Sequence, residues 1–184
     1  MALKPIPYRR VEPLIRRFLS MTEHDGTAAL IQRLRSARRR GYLTQAELEA
    51  ICYWKSARAI HHIRTNSRAQ IRSATRRALL TRSERRRLAA LMELRGVSVP
   101  MASAILMLLD PRRYGVIDIR VWQLLHKLGT VTKKPKGVGF NFNNWYQYLM
   151  IIRHFSRKLH VTARDIERTL FVAHKKYQRG RLTE

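Results

Sequence analysis

Apolar residues along this chain recur every three or four positions, which is the spacing of amphipathic helices. No stretch has the apolar–polar alternation that is typical of a half-buried strand. Helices are predicted at 12–19, 28–37, 56–80, 100–109, 119–128 and 144–159. The 8 glycines and 6 prolines gather mainly between these segments. The sequence therefore predicts an all-α fold.

Three further helix starts are indicated by capping boxes, in which a threonine is followed three residues later by an acidic residue. The threonine hydroxyl and the carboxylate each accept a backbone N–H that the first helical turn leaves unpaired. The boxes are Thr44 with Glu47, Thr81 with Glu84, and Thr162 with Asp165. We expect a helix to begin directly after each threonine.

The length of 184 residues and the hydrophobic fraction of 45% suit one helical domain over 1–184, or two small lobes that share a core. Within it, we expect a hairpin of two helices at 84–110. A helix that begins with a carboxylate is expected at 117–128, and a basic loop at 129–143.

The charge of the chain indicates a polyanionic partner. There are 38 Lys and Arg against 12 Asp and Glu, a formal net charge of +26, which is more than solubility requires. Arginine outnumbers lysine, and its planar guanidinium binds phosphate in a bidentate manner. A membrane is a weaker candidate, because the sequence has no apolar run of about 20 residues. We therefore expect nucleic acid as the partner.

Cys52 is the only cysteine, which excludes an intrachain disulfide, a cysteine-ligated zinc site and a four-cysteine iron–sulfur cluster. The pair His61 and His62 lacks acidic or thiolate partners nearby in the sequence, so we expect a helix surface there and no metal site. These features favour a reducing compartment, and we expect a cytoplasmic or nucleoid-associated protein.

A single carboxylate, Asp118, stands in an apolar frame that includes Ile117 and Ile119. An ionised side chain there costs free energy unless hydrogen bonds or a cation compensate it. Aspartate is a favoured N-cap, and the helix predicted at 119–128 begins directly after it. The residues alone leave two interpretations open: Asp118 is a helix cap only, or it is also a functional group.

Upstream of Asp118, Gly96 marks a tight turn between two helix-like segments. The second of these segments begins near Pro100, and proline suits a first helical turn. Exposed amides at such a helix start can bind a phosphate oxygen. The turn is therefore a candidate contact to a nucleic-acid backbone.

Two short motifs carry a resemblance to a known family. The run 94–102, Leu-Arg-Gly-Val-Ser-Val-Pro-Met-Ala, is similar to the hairpin Leu-x-Gly-Val-Gly-x-x-x-Ala, and the run 117–121, Ile-Asp-Ile-Arg-Val, is similar to Val-Asp-x-x-Val. Both motifs belong to the helix-hairpin-helix base-excision DNA glycosylases, the superfamily that includes endonuclease III and the adenine mismatch glycosylases. The run 53–60 also looks like a helix that precedes the hairpin in this family. The resemblance covers roughly residues 50 to 128.

The chain departs from the family pattern at three points. Bifunctional members have a Schiff-base lysine 18 residues before the aspartate, and 118 − 100 = 18 leads here to Pro100. Ser98 stands where a second hairpin glycine is usual, which leaves open the monovalent cation site that some relatives form with hairpin carbonyls. The iron–sulfur cysteines of endonuclease III are absent. Lys55 or Lys127 could replace the missing lysine only if the fold brings one of them to Asp118.

The resemblance implies a monofunctional DNA glycosylase that excises a damaged or mispaired base from double-stranded DNA, without lyase activity through the family lysine position. Asp118 would stabilise the oxocarbenium-like transition state. The flipped base would enter a pocket formed by Tyr53, Trp54 and Trp122. The implied DNA contacts are Arg95, Gly96, Val97, Ser98 and Arg120. The basic composition of the loop at 129–143 separately makes Lys133, Lys134 and Lys136 candidate contacts to phosphates. No cofactor and no obligate protein partner are expected.

A second function stays open at this stage. The hairpin and the arginines could form a non-catalytic module that binds DNA or structured RNA, in which Asp118 only caps its helix. Both functions predict binding that weakens steeply with salt. They differ in whether free base is released from damaged DNA.

Overall fold

The computed structural model describes residues 3–178, and the fold is all-α, as predicted. A single-turn 3₁₀ segment covers Ala57–Ala59, and in the described part of the chain the only strand-like pairing is one isolated bridge between Leu3 and Gln178. The α-helices are α1 (Val11–Phe18), α2 (Asp25–Arg33), α3 (Arg35–Arg40), α4 (Gln45–Lys55), α5 (Ile60–Arg64), α6 (Arg68–Leu80), α7 (Glu84–Met92), α8 (Val99–Leu109), α9 (Ile119–Lys127), α10 (Phe142–Leu159) and α11 (Ala163–Tyr177).

Two of the three predicted capping boxes are confirmed, at Thr44 and Thr162. The third prediction is wrong, because Thr81 ends α6 and Ser83 caps α7 instead. Ser83 Oγ accepts the N–H of Arg86 at 3.3 Å, which makes Glu84 the first residue of α7. The Glu84 carboxylate therefore serves a tertiary contact: it accepts the hydroxyl of Tyr114 at 3.0 Å.

Two predicted helices are interrupted in the structure. The segment 28–37 is divided at Leu34 into α2 and α3, and the segment 56–80 is divided into the 3₁₀ turn, α5 and α6. The second break has a recognisable cause, because Ser67 and Gln70 form a reciprocal capping box that starts α6. The pattern Ser-x-x-Gln is the same signal as the threonine boxes, and it was available in the sequence.

Helix α8 is the central element of the core. All of its residues except Pro100 are buried, and it packs against α2, α3, α4, α7 and α10. The buried apolar side chains form one continuous cluster around it. Helix α11 packs against α1, α9 and α10 on another side of the molecule. The segment 110–118 leaves the end of the core helix and leads directly to Asp118 at the start of α9.

None of the helices within residues 3–178 combines the length and the apolarity that a membrane crossing requires.

Candidate active site

Asp118 caps α9, as both sequence interpretations predicted. Its Oδ1 accepts the N–H of Arg120 at 2.9 Å, and the residue has the extended backbone of an N-cap. Its Oδ2 makes a different contact, because the ammonium of Lys55 lies 3.1 Å away. The side chains of Asp118 and Lys55 keep 17% and 20% of their surfaces exposed. The cap therefore occupies one carboxylate oxygen, and the second oxygen faces a partly accessible lysine.

Side chains from two helices fix the backbone that leads to Asp118. Ser103 of α8 accepts the N–H of Ile117 at 3.1 Å and donates its own hydroxyl to the carbonyl of Pro100 at 2.8 Å. Tyr148 of α10 donates its hydroxyl to the carbonyl of Val116 at 3.0 Å. Burial raises the pKa of Tyr148 well above its ordinary value, so the hydroxyl stays a donor. The position of Asp118 is thus set by the core and not by a mobile loop.

Gly115 lets α11 approach this backbone closely. A Cβ atom at Gly115 would lie 2.7 Å from the Cβ of Glu167 and 2.9 Å from Cδ1 of Ile152. Real Cβ atoms do not tolerate such distances, so only glycine fits without a shift of α10 or α11. The close packing brings the polar first half of α11 next to Asp118.

The carboxylate of Asp118 lies in a cleft of about 330 Å³ between α4, α9 and α11, which we call the Asp118 cleft. This volume falls within the range of about 300–1,000 Å³ that is usual for small-ligand sites. Its lining includes Trp54, Lys55, Asp118, Arg120, Arg164 and Phe171. The guanidinium of Arg164 lies 5.8 Å from the ring centre of Trp54, and that of Arg120 lies 5.2 Å from the ring centre of Phe171. The cleft therefore combines two aromatic rings with a strongly cationic wall.

The two arginines that α11 contributes to the cleft, Arg164 and Arg168, are both paired with carboxylates. Arg164 forms ion pairs with Glu23, at 2.7 Å, and with Glu167. Burial raises the pKa of Glu167, and the adjacent Arg164 guanidinium opposes that shift. Arg120 differs, since no carboxylate within residues 3–178 lies within 4 Å of its side-chain nitrogens. Its Nε donates to the neutral side chain of Gln178 at 3.4 Å, so the Arg120 charge is not balanced by a carboxylate of the described residues.

The turn between α7 and α8 is built around Gly96, whose φ of +82° is a left-handed conformation. A Cβ atom there would lie 3.0 Å from Cβ of His62. Arg95 and Ser98 are exposed beside the glycine, whereas Val97 is buried and its N–H donates to the carbonyl of Leu94. Four residues of this turn were predicted to contact DNA. Of these, Val97 has neither an accessible side chain nor a free backbone N–H with which to do so.

Asn66 holds this turn in place, and the sequence analysis missed it. Its side chain brackets Arg95: Oδ1 accepts the Arg95 N–H at 2.9 Å, and Nδ2 donates to the Arg95 carbonyl at 3.0 Å. Nδ2 also donates to the carbonyl of Ile63 at 2.9 Å. Asn66 is only 4% exposed. The sequence contains no local signal for these contacts, because the two partners are 29 positions apart.

The predicted basic loop is anchored to α9 through its backbone. Trp122 Nε1 donates to the carbonyls of Lys133 and Lys134, each at 3.0 Å, and Gln123 Nε2 donates to that of Lys136 at 3.0 Å. The Lys134 ammonium donates within the loop at 2.6 Å, whereas the side chains of Lys133 and Lys136 are exposed. The loop therefore presents two lysines from a fixed backbone that packs on α9.

The structure brings together Asp118, Arg120 and Trp54 of the predicted site, but it does not bring Tyr53 or Trp122 to them. Trp122 is fully buried, because its indole packs under the basic loop. Tyr53 is 52% exposed outside the cleft, and its hydroxyl accepts a hydrogen bond from Arg64 at 3.2 Å. The two aromatic rings of the cleft are instead Trp54 and Phe171, of which the second was not predicted.

A larger groove of about 590 Å³ lies elsewhere, beside Tyr42 at the start of α4. Its cations are Arg68 and Arg72, and the Arg72 guanidinium lies 4.7 Å from the centre of the Tyr42 ring. Its carboxylate, Glu49, is paired with Arg64 at 3.2 Å. None of the predicted site residues lines this groove, so we assign the candidate chemistry to the smaller Asp118 cleft.

Comparisons with protein-family models, with curated proteins and with solved structures gave no match. The function is therefore inferred from the geometry of the Asp118 cleft.

Proposed function

We propose that this protein is a DNA glycosylase, which hydrolyses the N-glycosidic bond of a damaged or mispaired base that has been flipped out of a duplex. The proposal rests on one observation, namely the exposure of the Asp118 carboxylate and the side chains that surround it. Asp118 is a partly exposed carboxylate that opens into a cleft with two aromatic rings and with Arg120, which pairs with no carboxylate among residues 3–178. A flipped base needs apolar or aromatic walls, and the sugar beside it needs a nearby negative charge.

The carboxylate is oriented before any substrate arrives. The Arg120 amide holds Oδ1, and the Lys55 ammonium holds Oδ2. As the bond between base and sugar lengthens, positive charge develops on the sugar ring, and an oriented carboxylate stabilises it without reorganisation. The base departs with the bonding electron pair, water adds to C1′, and the proton that the water loses passes through the Asp118 carboxylate to the departed base. Asp118 is the group in the cleft that supports both steps.

The surface of the protein supports DNA as the substrate. The formal net charge of +26 attracts a phosphate backbone over a long range. The exposed Arg95 and Ser98 flank the Gly96 turn, and the exposed Lys133 and Lys136 extend from the loop on α9. Arg120 is the second residue of α9, the helix that Asp118 caps, so a phosphate bound to Arg120 would lie close to Asp118.

The test is release of free base from duplexes that carry uracil, an alkylated purine, hypoxanthine or 8-oxoguanine. We expect release from at least one of them, and a loss of at least about 100-fold in Asp118→Asn, as for other groups that stabilise a transition-state charge. Asparagine also caps helices, so this variant keeps the fold. Asp110→Asn is the matched control, because Asp110 pairs with Arg38 at 3.1 Å outside the cleft. Base release that is undiminished in Asp118→Asn would refute the proposal.

The second candidate is a non-catalytic binding module for DNA or RNA. It is favoured by one observation, namely that the hydrogen bond from the Arg120 amide already gives Asp118 a structural role. Such a module binds intact and damaged duplexes equally and releases no base. A glycosylase instead prefers a duplex that contains an abasic-site mimic. Competition binding with these two duplexes separates the candidates.

A further inference from the structure

The groove beside Tyr42, which we call the Tyr42 groove, takes no part in the proposed function. It is lined by residues at the start of α4 and by Arg68 and Arg72 of α6. The Asp118 cleft reaches the same helix at its other end, through Lys55, and the two cavities share no lining residue. Helix α4 has 11 residues, so its ends lie about 15 Å apart. The Tyr42 groove is therefore a separate surface.

The arginines of this groove carry charge that the protein does not balance. Arg68 and Arg72 are exposed, and no carboxylate within residues 3–178 lies within 4 Å of their side-chain nitrogens. They lie one helical turn apart on one side of α6, and the exposed Arg76 continues the row. The carboxylate of the groove, Glu49, is paired with Arg64 at 3.2 Å. The arginine row is thus available to successive phosphates of a polyanion.

An aromatic and apolar wall stands beside the arginine row. The Arg72 guanidinium lies 4.7 Å from the centre of the half-buried Tyr42 ring, and the exposed Ala46 lines the same groove. Arg40 lies equally close to that ring, but it is paired with Glu47 at 2.5 Å. A duplex keeps the faces of its bases stacked inside, so its backbone gains nothing from such a wall. The unstacked bases of a single strand do, because they stack on aromatic rings and guanidinium planes.

We propose that the Tyr42 groove binds single-stranded DNA. Phosphates of the strand lie on the arginine row of α6, and one base stacks on the Arg72 guanidinium, which the Tyr42 ring supports. A cationic track beside a stacking platform is the general means by which proteins bind single strands without reading their sequence. Neither Asp118 nor the release of a base takes part in this binding.

The polar side chains of the groove favour DNA over RNA. The Thr44 hydroxyl donates to Glu47 at 3.0 Å, within the capping box of α4. The Gln45 amide donates to Glu49 at 3.3 Å, and the Glu49 carboxylate also accepts from Arg64. RNA is distinguished from DNA through contacts to its 2′-hydroxyl. Because these groups already bind one another, the groove gains nothing from a 2′-hydroxyl.

The test is the binding of a fluorescein-labelled strand of ten deoxyuridines to the full-length protein, followed by anisotropy at several salt concentrations. In Arg72→Gln the affinity falls, and the slope of log K against log salt decreases by about 0.7, the value for one phosphate of a single strand. In Tyr42→Leu the affinity falls by at least about 5-fold with an unchanged slope, because only stacking is lost. Arg157→Gln is the matched control, since Arg157 is an exposed arginine on α10.

Three further ligands separate stacking, sugar and strandedness. A strand of ten abasic tetrahydrofuran phosphates has the charge of the deoxyuridine strand but no bases, so Tyr42→Leu should bind it as tightly as the wild type does. A strand of ten uridines should bind the wild type no more tightly than the deoxyuridine strand. An intact duplex should lose no more affinity in Arg72→Gln than in Arg157→Gln.

Cross-linking locates the strand even if Tyr42→Leu fails to fold, which circular dichroism would reveal. A strand with one 5-bromodeoxyuridine is irradiated with the wild-type protein, and the adduct is mapped by peptide mass spectrometry. A cross-link within residues 40–49 or 68–76 supports the proposal. A cross-link confined to other residues, or none, overturns it.

Four binding results would also overturn the proposal. These are a loss in Arg72→Gln no larger than in Arg157→Gln, an equal loss in Arg72→Gln for duplex and single strand, an equal loss in Tyr42→Leu on the abasic strand, and tighter binding of the uridine strand. Release of free base from damaged duplexes is measured separately. Single-strand binding at the groove without base release overturns the proposed glycosylase alone, and base release without such binding overturns the groove alone.

Discussion

Removing the side chain of Asn66 tests whether that residue determines the Gly96 turn. In Asn66→Ala, the N–H and the carbonyl of Arg95 both lose their hydrogen-bond partner, at 2.9 and 3.0 Å in the wild-type protein. The carbonyl of Ile63 is affected less, because it also accepts a backbone N–H at 3.2 Å. A buried polar group without a partner costs about 1–3 kcal/mol. The N–H and the carbonyl of Arg95 would recover part of this cost by moving toward solvent. We expect Asn66→Ala to lower the free energy of unfolding by about 2–4 kcal/mol.

The variant Asn66→Asp sharpens the test, because it keeps the shape of the side chain and changes only the donor. The carboxylate still accepts the Arg95 N–H, but its second oxygen replaces the NH₂ that faces the carbonyls of Arg95, Ile63 and His62. Burial and these carbonyls raise the pKa of the new carboxyl in the folded state. A raised folded pKa gives stability that is present at low pH and lost as the pH rises. The deficit relative to the wild type should therefore be larger at pH 7 than at pH 4.

Urea denaturation followed by circular dichroism measures both variants at the two pH values. Asn143→Ala is the matched control, because Asn143 is exposed on α10 and such surface changes stay within about 0.5 kcal/mol. Two results would refute the reasoning: a loss in Asn66→Ala no larger than that of the control, or a deficit of Asn66→Asp that does not grow with pH.

Two further predictions concern pH and salt. Burial, with a smaller effect from the nearby Arg120, lowers the pKa of His174 from 6.5 to about 4, so the folded state favours the neutral ring. Protonation then favours the unfolded chain, so the free energy of unfolding should fall by up to about 1.4 kcal/mol per pH unit as the pH is lowered from 6.5 to 4. Urea titrations at several pH values measure this slope, and we expect it to be smaller in His174→Gln. Lys133→Ala and Lys136→Ala should each weaken duplex binding regardless of sequence and reduce the slope of log K against log salt by about 1, measured by fluorescence anisotropy. An unchanged slope in both variants would exclude the loop from the proposed DNA-binding surface.

The helical fold was predictable because its signals are local. The three-to-four-residue periodicity reports which face of a segment is buried, and the threonine boxes at Thr44 and Thr162 satisfy amides within the same turn. The error at Thr81 has the same origin: Ser83 starts the helix two residues later by accepting the N–H of Arg86, and the carboxylate of Glu84 accepts the hydroxyl of the distant Tyr114. A local sequence pattern does not show which of two neighbouring capping residues, here Thr81 and Ser83, starts the helix.

The composition of the cleft was only partly predictable, because it depends on how distant helices pack. Trp54 and Trp122 both lie on apolar stretches, but Trp54 lines the cleft, whereas Trp122 is fully buried and donates to the backbone of the basic loop. Phe171 enters the cleft because α11 approaches the chain at Gly115. The contact of Lys55 with Asp118 spans 63 positions, and no periodicity or spacing encodes it.

A helix cap and a functional role of the Asp118 carboxylate do not exclude each other in this geometry. The cap uses Oδ1 and the Arg120 amide, so it fixes the torsion of the side chain and with it the direction of Oδ2. Oδ2 then faces Lys55 in the cleft and not the helix. A free carboxylate would lose conformational entropy on taking up that orientation with substrate, whereas this one has already lost it in folding. The hydrogen bond of the helix cap is therefore also the contact that would orient the carboxylate in the proposed reaction.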